Sequence, residues 1–98
     1  MAQFDVFWTR DGAMVLDCQS DLLSSYNSRV VIPLLEPHPS LPAMARLNPR
    51  LKIGEEERQL MTEFMAAVPV TALKSPITSL RHEEYRIKAA LDMLISGY

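Results

Sequence analysis

The tightest constraint on this chain is the period of its apolar residues, which is two near the amino end and becomes helical only from Ser79 onward. Between Gln3 and Trp8, the residues Phe4, Val6 and Trp8 alternate with Gln3, Asp5 and Phe7, which predicts a half-buried strand with the two sets on opposite faces. Arg10-Asp11-Gly12 follows, and Asp-Gly favours a tight turn because glycine adopts positive φ without steric cost. The returning segment, Ala13 to Gln19, sets Met14, Leu16 and Cys18 against Val15, Asp17 and Gln19. A β-hairpin therefore opens the chain.

Ser24 to Ser28 is a polar connector, and Arg29 to Leu35 is a continuous β-branched run suited to a strand covered on both faces, with Pro33 limiting how far its ladder extends. Glu36 to Pro42 holds three prolines in seven residues, each with fixed φ and no backbone donor, which predicts a stiff loop. Arg50 to Ile53, a turn at Gly54, and Glu57 to Thr62 read as a second hairpin. Met65 to Leu73 fits a helix or a strand; Pro69 disfavours the helix, and Val70 to Leu73 is expected to be the last strand.

Beyond that point Leu80, Glu84, Ile87, Leu91 and Leu94 recur at intervals of four and three, the signature of one amphipathic helix. Ser79 is the expected N-cap, Glu83 and Glu84 lie near the positive end of the helix dipole, and Gly97 suits the left-handed position that ends a helix. After it Tyr98 either folds back toward Met93 or stands free as an aromatic contact. The expected fold is mainly β with one C-terminal helix, in a single domain spanning residues 1–98.

Composition narrows the function classes. Hydrophobic residues are 48% and charged residues 22%, ordinary globular usage. A chain of 98 residues buries only roughly two-thirds of its unfolded surface, so pairing with a second copy adds stability. The net charge of −2 gives no global attraction to phosphate, which argues against direct binding of nucleic acid. One cysteine, Cys18, excludes an intramolecular disulfide and fits a reducing, cytoplasmic setting. No apolar run approaches the ~20 residues that a membrane helix needs.

No catalytic or metal-binding constellation is expected, and no cofactor. His38 lies in the proline loop and His82 in the first turn of the predicted helix, neither with a second ligand at metal spacing. His82 and Glu83 are adjacent on that helix and point about 100° apart, so they form no acid–base pair. Asp17 and Asp21 flank Gln19-Ser20, where local bonds to backbone amides are the expected chemistry. Cys18, with Met14 and Leu16, belongs to the core.

Several segments then appear in order: Asp17-Cys18-Gln19-Ser20-Asp21-Leu22-Leu23, Val30-Val31-Ile32-Pro33-Leu34, Ile53-Gly54-Glu55, Met61-Thr62 and Met65 to Val70. Leu80, His82, Glu84, Ile87, Lys88, Ala90 and Gly97 complete the series. Together they closely resemble the CcdB family of toxins from bacterial toxin–antitoxin modules. The resemblance implies an SH3-like antiparallel barrel, a homodimer, and a protein inhibitor rather than an enzyme. It also implies binding to the A subunit of DNA gyrase, trapping of the cleaved gyrase–DNA complex, and neutralisation by a CcdA-like antitoxin, with DNA contacted only through the antitoxin complex. The family's gyrase contact is a terminal tryptophan-glycine-isoleucine, which corresponds here to Ser96, Gly97 and Tyr98; only the glycine matches.

Two alternatives accompany this reading. One is an attenuated or decayed homologue that binds antitoxin and not gyrase, suggested by Ser96. The other is an RNA-cleaving toxin of the MazF type on the same architecture, which would need an acid–base pair in a basic groove; the acidic balance and unpaired histidines argue against it.

Overall fold

The computed structural model describes residues 2–41 and 43–98; Met1 and Pro42, the third proline of the stiff loop, lie outside the described residues. Seven antiparallel strands form a curled half-barrel sheet closed by one C-terminal helix, as an SH3-like barrel requires. The strands are β1 (Asp5–Thr9), β2 (Met14–Asp17), β3 (Ser28–Leu35), β4 (Arg50–Ile53), β5 (Glu56–Leu60), β6 (Ala66–Pro69) and β7 (Leu73–Ser79), and the helix is α1 (Glu84–Ser96). Their order across the sheet is β4-β5-β3-β2-β1-β7, with β6 paired to β3 off this path.

The first hairpin forms as its pattern predicts. Val6 lies opposite Leu16, Phe7 opposite Val15 and Trp8 opposite Met14, and Gly12 takes φ +93° in the turn between them. Thr9 finishes that turn: its hydroxyl accepts from the Ala13 amide at 2.9 Å and is hydrogen-bonded to the Asp11 carboxylate. The second hairpin turns at Gly54, with φ +65°, and pairs Ile53 with Glu56. Its return strand stops at Leu60, because Thr62 begins a short 3-10 turn rather than continuing the ladder.

β3 is the hub of the sheet. One edge pairs with β2 through Val31, Ile32 and Pro33; the other pairs with β6 through Ser28 to Val31 and then with β5 through Leu34 and Leu35. Pro33 is the last β3 residue in the β2 ladder, so its missing donor falls where that ladder ends, and its carbonyl accepts from the Met61 amide at 2.9 Å.

Two apolar clusters flank the sheet. The main one gathers Phe4, Val6, Leu16, Ile32, Leu34 and Leu60 beneath Leu80, Ile87 and Ala90 of the helical segment, with Cys18 and Leu91 packed at its margin. A smaller one joins Phe7, Val15, Val31 and Leu73 on the opposite face, with Val68 against it. The hairpin is therefore buried on both sides. The expectation of a half-buried strand is corrected: Phe4, Val6 and Phe7 are buried from both faces, because β7 and β6 bring Leu73 and Val68 against Phe7, and Trp8 is the residue left 39% exposed.

The last strand is also corrected. Val70 to Ala72 form a 3-10 turn after Pro69 ends β6, and the sheet is completed by Leu73–Ser79. β7 runs along the edge beside β1, where Pro76 sits opposite Phe7 between two register shifts and Lys74 is exposed. Proline and lysine at an edge discourage pairing with a further strand. Finally, the expectation that Ser79 caps α1 is corrected: its hydroxyl accepts from the Arg81 amide at 3.2 Å as β7 ends, Leu80 stands at the N-cap of the 3-10 turn Arg81–Glu83, and α1 starts at Glu84.

Candidate partner-binding surface

The C-terminal tail leaves the fold at a defined joint. α1 buries Ile87 and Ala90, Gly97 adopts φ +81° and ψ 10°, and its amide donates to the Met93 carbonyl at 3.0 Å. That single bond across a left-handed residue stops the helix and redirects the backbone. Tyr98 is 78% exposed, so of its two sequence readings the structure favours the free aromatic over the fold-back onto Met93. Ser96 and Gly97 are exposed with it, and Ile95 presents a further exposed apolar side chain one residue earlier.

A second exposed apolar element was missed in the sequence, where Leu22 and Leu23 were given no structural place before the polar connector that begins at Ser24. Asp21–Leu23 form a 3-10 turn that displays Leu22 at 92% exposure, with Leu23 beside it and Tyr26, at 60%, shortly after. Buried polar groups tie this loop from behind. Asp17 is 0% exposed; one carboxylate oxygen accepts from the Gln19 amide at 2.9 Å and the other pairs with Arg29 Nη1 at 3.2 Å, where Arg29 is 2% exposed. The Gln19 side chain donates to the Leu23 and Ser28 carbonyls at 3.2 and 3.1 Å and accepts from the Val30 amide at 3.0 Å. Arg29 Nη2 reaches the Ser24 carbonyl at 3.4 Å.

The amino-terminal turn secures the same loop from its other side. Phe4 holds φ +72°, an uncommon conformation for a residue with a side chain, and it is fixed there by its amide on the Asp17 carbonyl and its carbonyl under the Leu80 amide. With Phe4 so placed, the Gln3 amide donates to Asp21 at 2.8 Å and Gln3 Nε2 donates to the Cys18 carbonyl at 3.1 Å. Arg81 lies over the Phe4 ring at 5.6 Å and reaches the Asp21 carboxylate at 3.5 Å. The signal in the sequence was the pair Asp17 and Gln19, polar residues at and just after the end of a strand whose Val15 and Leu16 are buried.

Asp17 thus makes the local amide bond expected of it, to Gln19, whereas Asp21 accepts from the distant Gln3 amide instead; they also stand apart in role, one buried against Arg29, the other facing solvent against Arg81. Burial pushes the Asp17 carboxyl above the usual carboxylate range, with the Gln19 amide and Arg29 charge acting the other way. Burial and the neighbouring Asp17 charge push the Cys18 thiol up to about 11. Cys18 Sγ donates to the Val30 carbonyl at 3.3 Å, and the residue packs on the main core as expected. His38 is exposed and bonds Ser40 at 2.7 Å within the proline loop, and His82 is exposed at the start of the helical segment. Among the described residues no group of three His, Cys, Asp or Glu side chains is placed to hold a metal ion, and no helix is long and apolar enough to cross a membrane.

The arrangement offers exposed apolar side chains on a rigid frame, the form of a protein-binding surface. A model of the CcdB protein family matches residues 3–97. The chain belongs to the CcdB family. It is therefore a toxin of a toxin–antitoxin system. The CcdB match runs through the whole sheet, the helix and Gly97, and stops one residue short of Tyr98.

Proposed function

We propose that this CcdB-family toxin acts as a homodimer that binds the A subunit of DNA gyrase, traps the cleaved gyrase–DNA complex, and is silenced by a CcdA-like antitoxin. The observation that carries this reading is the tail: Ser96, Gly97 and Tyr98 are exposed at the end of α1, beyond its last buried residue, at the positions the family uses on gyrase. The exposed Leu22 turn and Tyr26 add apolar surface of the same kind. The toxin works by occupying a gate and needs no bond-making group of its own.

Serine at position 96 offers no aromatic face for stacking on an arginine, a contact worth about 1–2 kcal/mol, so binding is about five- to thirty-fold weaker than with tryptophan there. The test is gyrase-mediated DNA cleavage across a toxin titration. Ser96→Trp shifts the curve to lower toxin, and deletion of Gly97 and Tyr98 abolishes cleavage while the protein stays folded. Equal activity of the truncated and intact proteins refutes the tail as the contact. A wild type that binds a CcdA-like peptide and never poisons gyrase establishes the second reading, a decayed toxin, which the loss of the aromatic at position 96 favours.

A further inference from the structure

The buried side of the 20–28 loop is better provided with hydrogen bonds than a connector needs. Gln19 is 9% exposed and uses both ends of its amide: the NH2 group donates to two loop carbonyls, Leu23 and Ser28, and the oxygen accepts from β3 at Val30. The bonds from Gln3, Arg29 and Arg81 converge on the same stretch, and Phe4 holds a strained φ that lets Gln3 reach it. Strain at Phe4 kept in place by its bonds to Asp17 and Leu80, and side-chain bonds from four directions onto a loop whose leucine is 92% exposed, mark a segment held in a fixed, displayed shape.

We propose that Gln19 is a positioning residue, whose side-chain amide holds the Leu22–Tyr26 loop in the conformation that meets the toxin's target. This rests on the gyrase reading above. Gln19 touches no partner; it acts through Leu23 and Ser28. Only an amide of this length both donates to the loop and accepts from the strand, whereas methionine of similar shape donates nothing and accepts only weakly. A loop that visits the competent shape for a fraction of the time binds more weakly by that fraction. With Gln19→Met the ordered fraction falls to roughly one tenth, and about ten times more toxin is needed for the same gyrase cleavage.

The experiment uses the full-length protein in three forms, wild type, Gln19→Met and Leu22→Ser, each read by amide hydrogen exchange and by gyrase cleavage titration. Gln19→Met is expected to speed exchange at Ser24 and Tyr26, whose amides bond within the loop, while Phe7 and Leu16 in the hairpin stay protected, and to shift the cleavage curve about tenfold. Leu22→Ser is expected to shift the curve without changing exchange, since its side chain is outside the network. If Gln19→Met leaves loop exchange unchanged, Gln19 does not position the loop. If the loop loosens and the curve stays in place, or Leu22→Ser leaves it in place, the loop takes no part in the contact and the proposal fails. A wild type without gyrase cleavage overturns the parent reading instead, and the exchange result then stands as structure alone.

Discussion

Arg29→Met should be among the most damaging single substitutions in this protein, for a reason found in one pair of side chains. Arg29 and Asp17 are 2% and 0% exposed and meet at 3.2 Å. Methionine fills much of the arginine's volume and removes the countercharge, stranding a carboxylate inside the sheet. Losing one partner of a buried ion pair costs about 3–5 kcal/mol, a large part of the ~5–15 kcal/mol that holds a domain together. In urea, with a slope near ~1.5 kcal/mol per M for a chain of this size, the midpoint falls by about 2–3 M. The loss should also depend on pH. Burial already raises the Asp17 pKa above 3.8, and removing Arg29 leaves only the Gln19 amide opposing it. The folded variant then holds a proton that the unfolded chain releases, so its stability is greatest below the unfolded pKa and declines as pH rises through the folded one. The deficit against wild type is expected to be smaller at pH 4.5 than at pH 7.5. Adding Asp17→Asn, which removes the charge and retains an acceptor for the Gln19 amide, should recover at least ~2 kcal/mol at pH 7.5. A midpoint deficit equivalent to under ~1 kcal/mol, or one identical at both pH values, would refute the argument.

Two further outcomes follow from the core. With its thiol pushed up to about 11, Cys18 should be alkylated by iodoacetamide at pH 8 at least ~100-fold more slowly in the native protein than in urea, as followed by mass spectrometry; equal rates would show that the thiol is neither buried nor shifted. Ile87 is the fully buried anchor of α1, and Ile87→Ala should cost about 2–5 kcal/mol in urea unfolding, whereas Tyr85→Ala on the exposed face should change the midpoint little.

What was legible in the sequence was local. Asp11-Gly12 and Gly54 mark turns because only positive φ closes them cheaply, and the Arg50–Ile53 strand between Pro49 and Gly54 has the predicted bounds. The helical segment announced its inward side through Leu80 just before it and Ile87 and Leu91 within it, and its end through Gly97. Long-range pairing was not legible. β7 has polar residues through most of its length and no alternating face, so it is a strand only because β1 offers an open edge. The second buried face of β1, at Phe7, depends on Leu73, 66 positions later, which packs against it. The same holds for the surface: the left-handed joint before Tyr98 could be read from glycine, while the displayed Leu22 turn depends on Gln3, Gln19, Arg29 and Arg81, which no spacing rule groups together.

The pairing of β1 with β7 has a consequence for synthesis. Asp5 lies opposite Ser79, so the first strand made waits for the last one before its second edge is closed, and the apolar underside of the sheet waits longer still for Ile87 and Ala90. A ribosome that adds about 5–20 residues each second releases the hairpin seconds before the segment that completes it. Contacts so distant in the chain also form slowly once both ends are present. The nascent toxin is therefore unfinished for most of its translation, and the exposed tail that follows α1 is made only after every strand of the sheet.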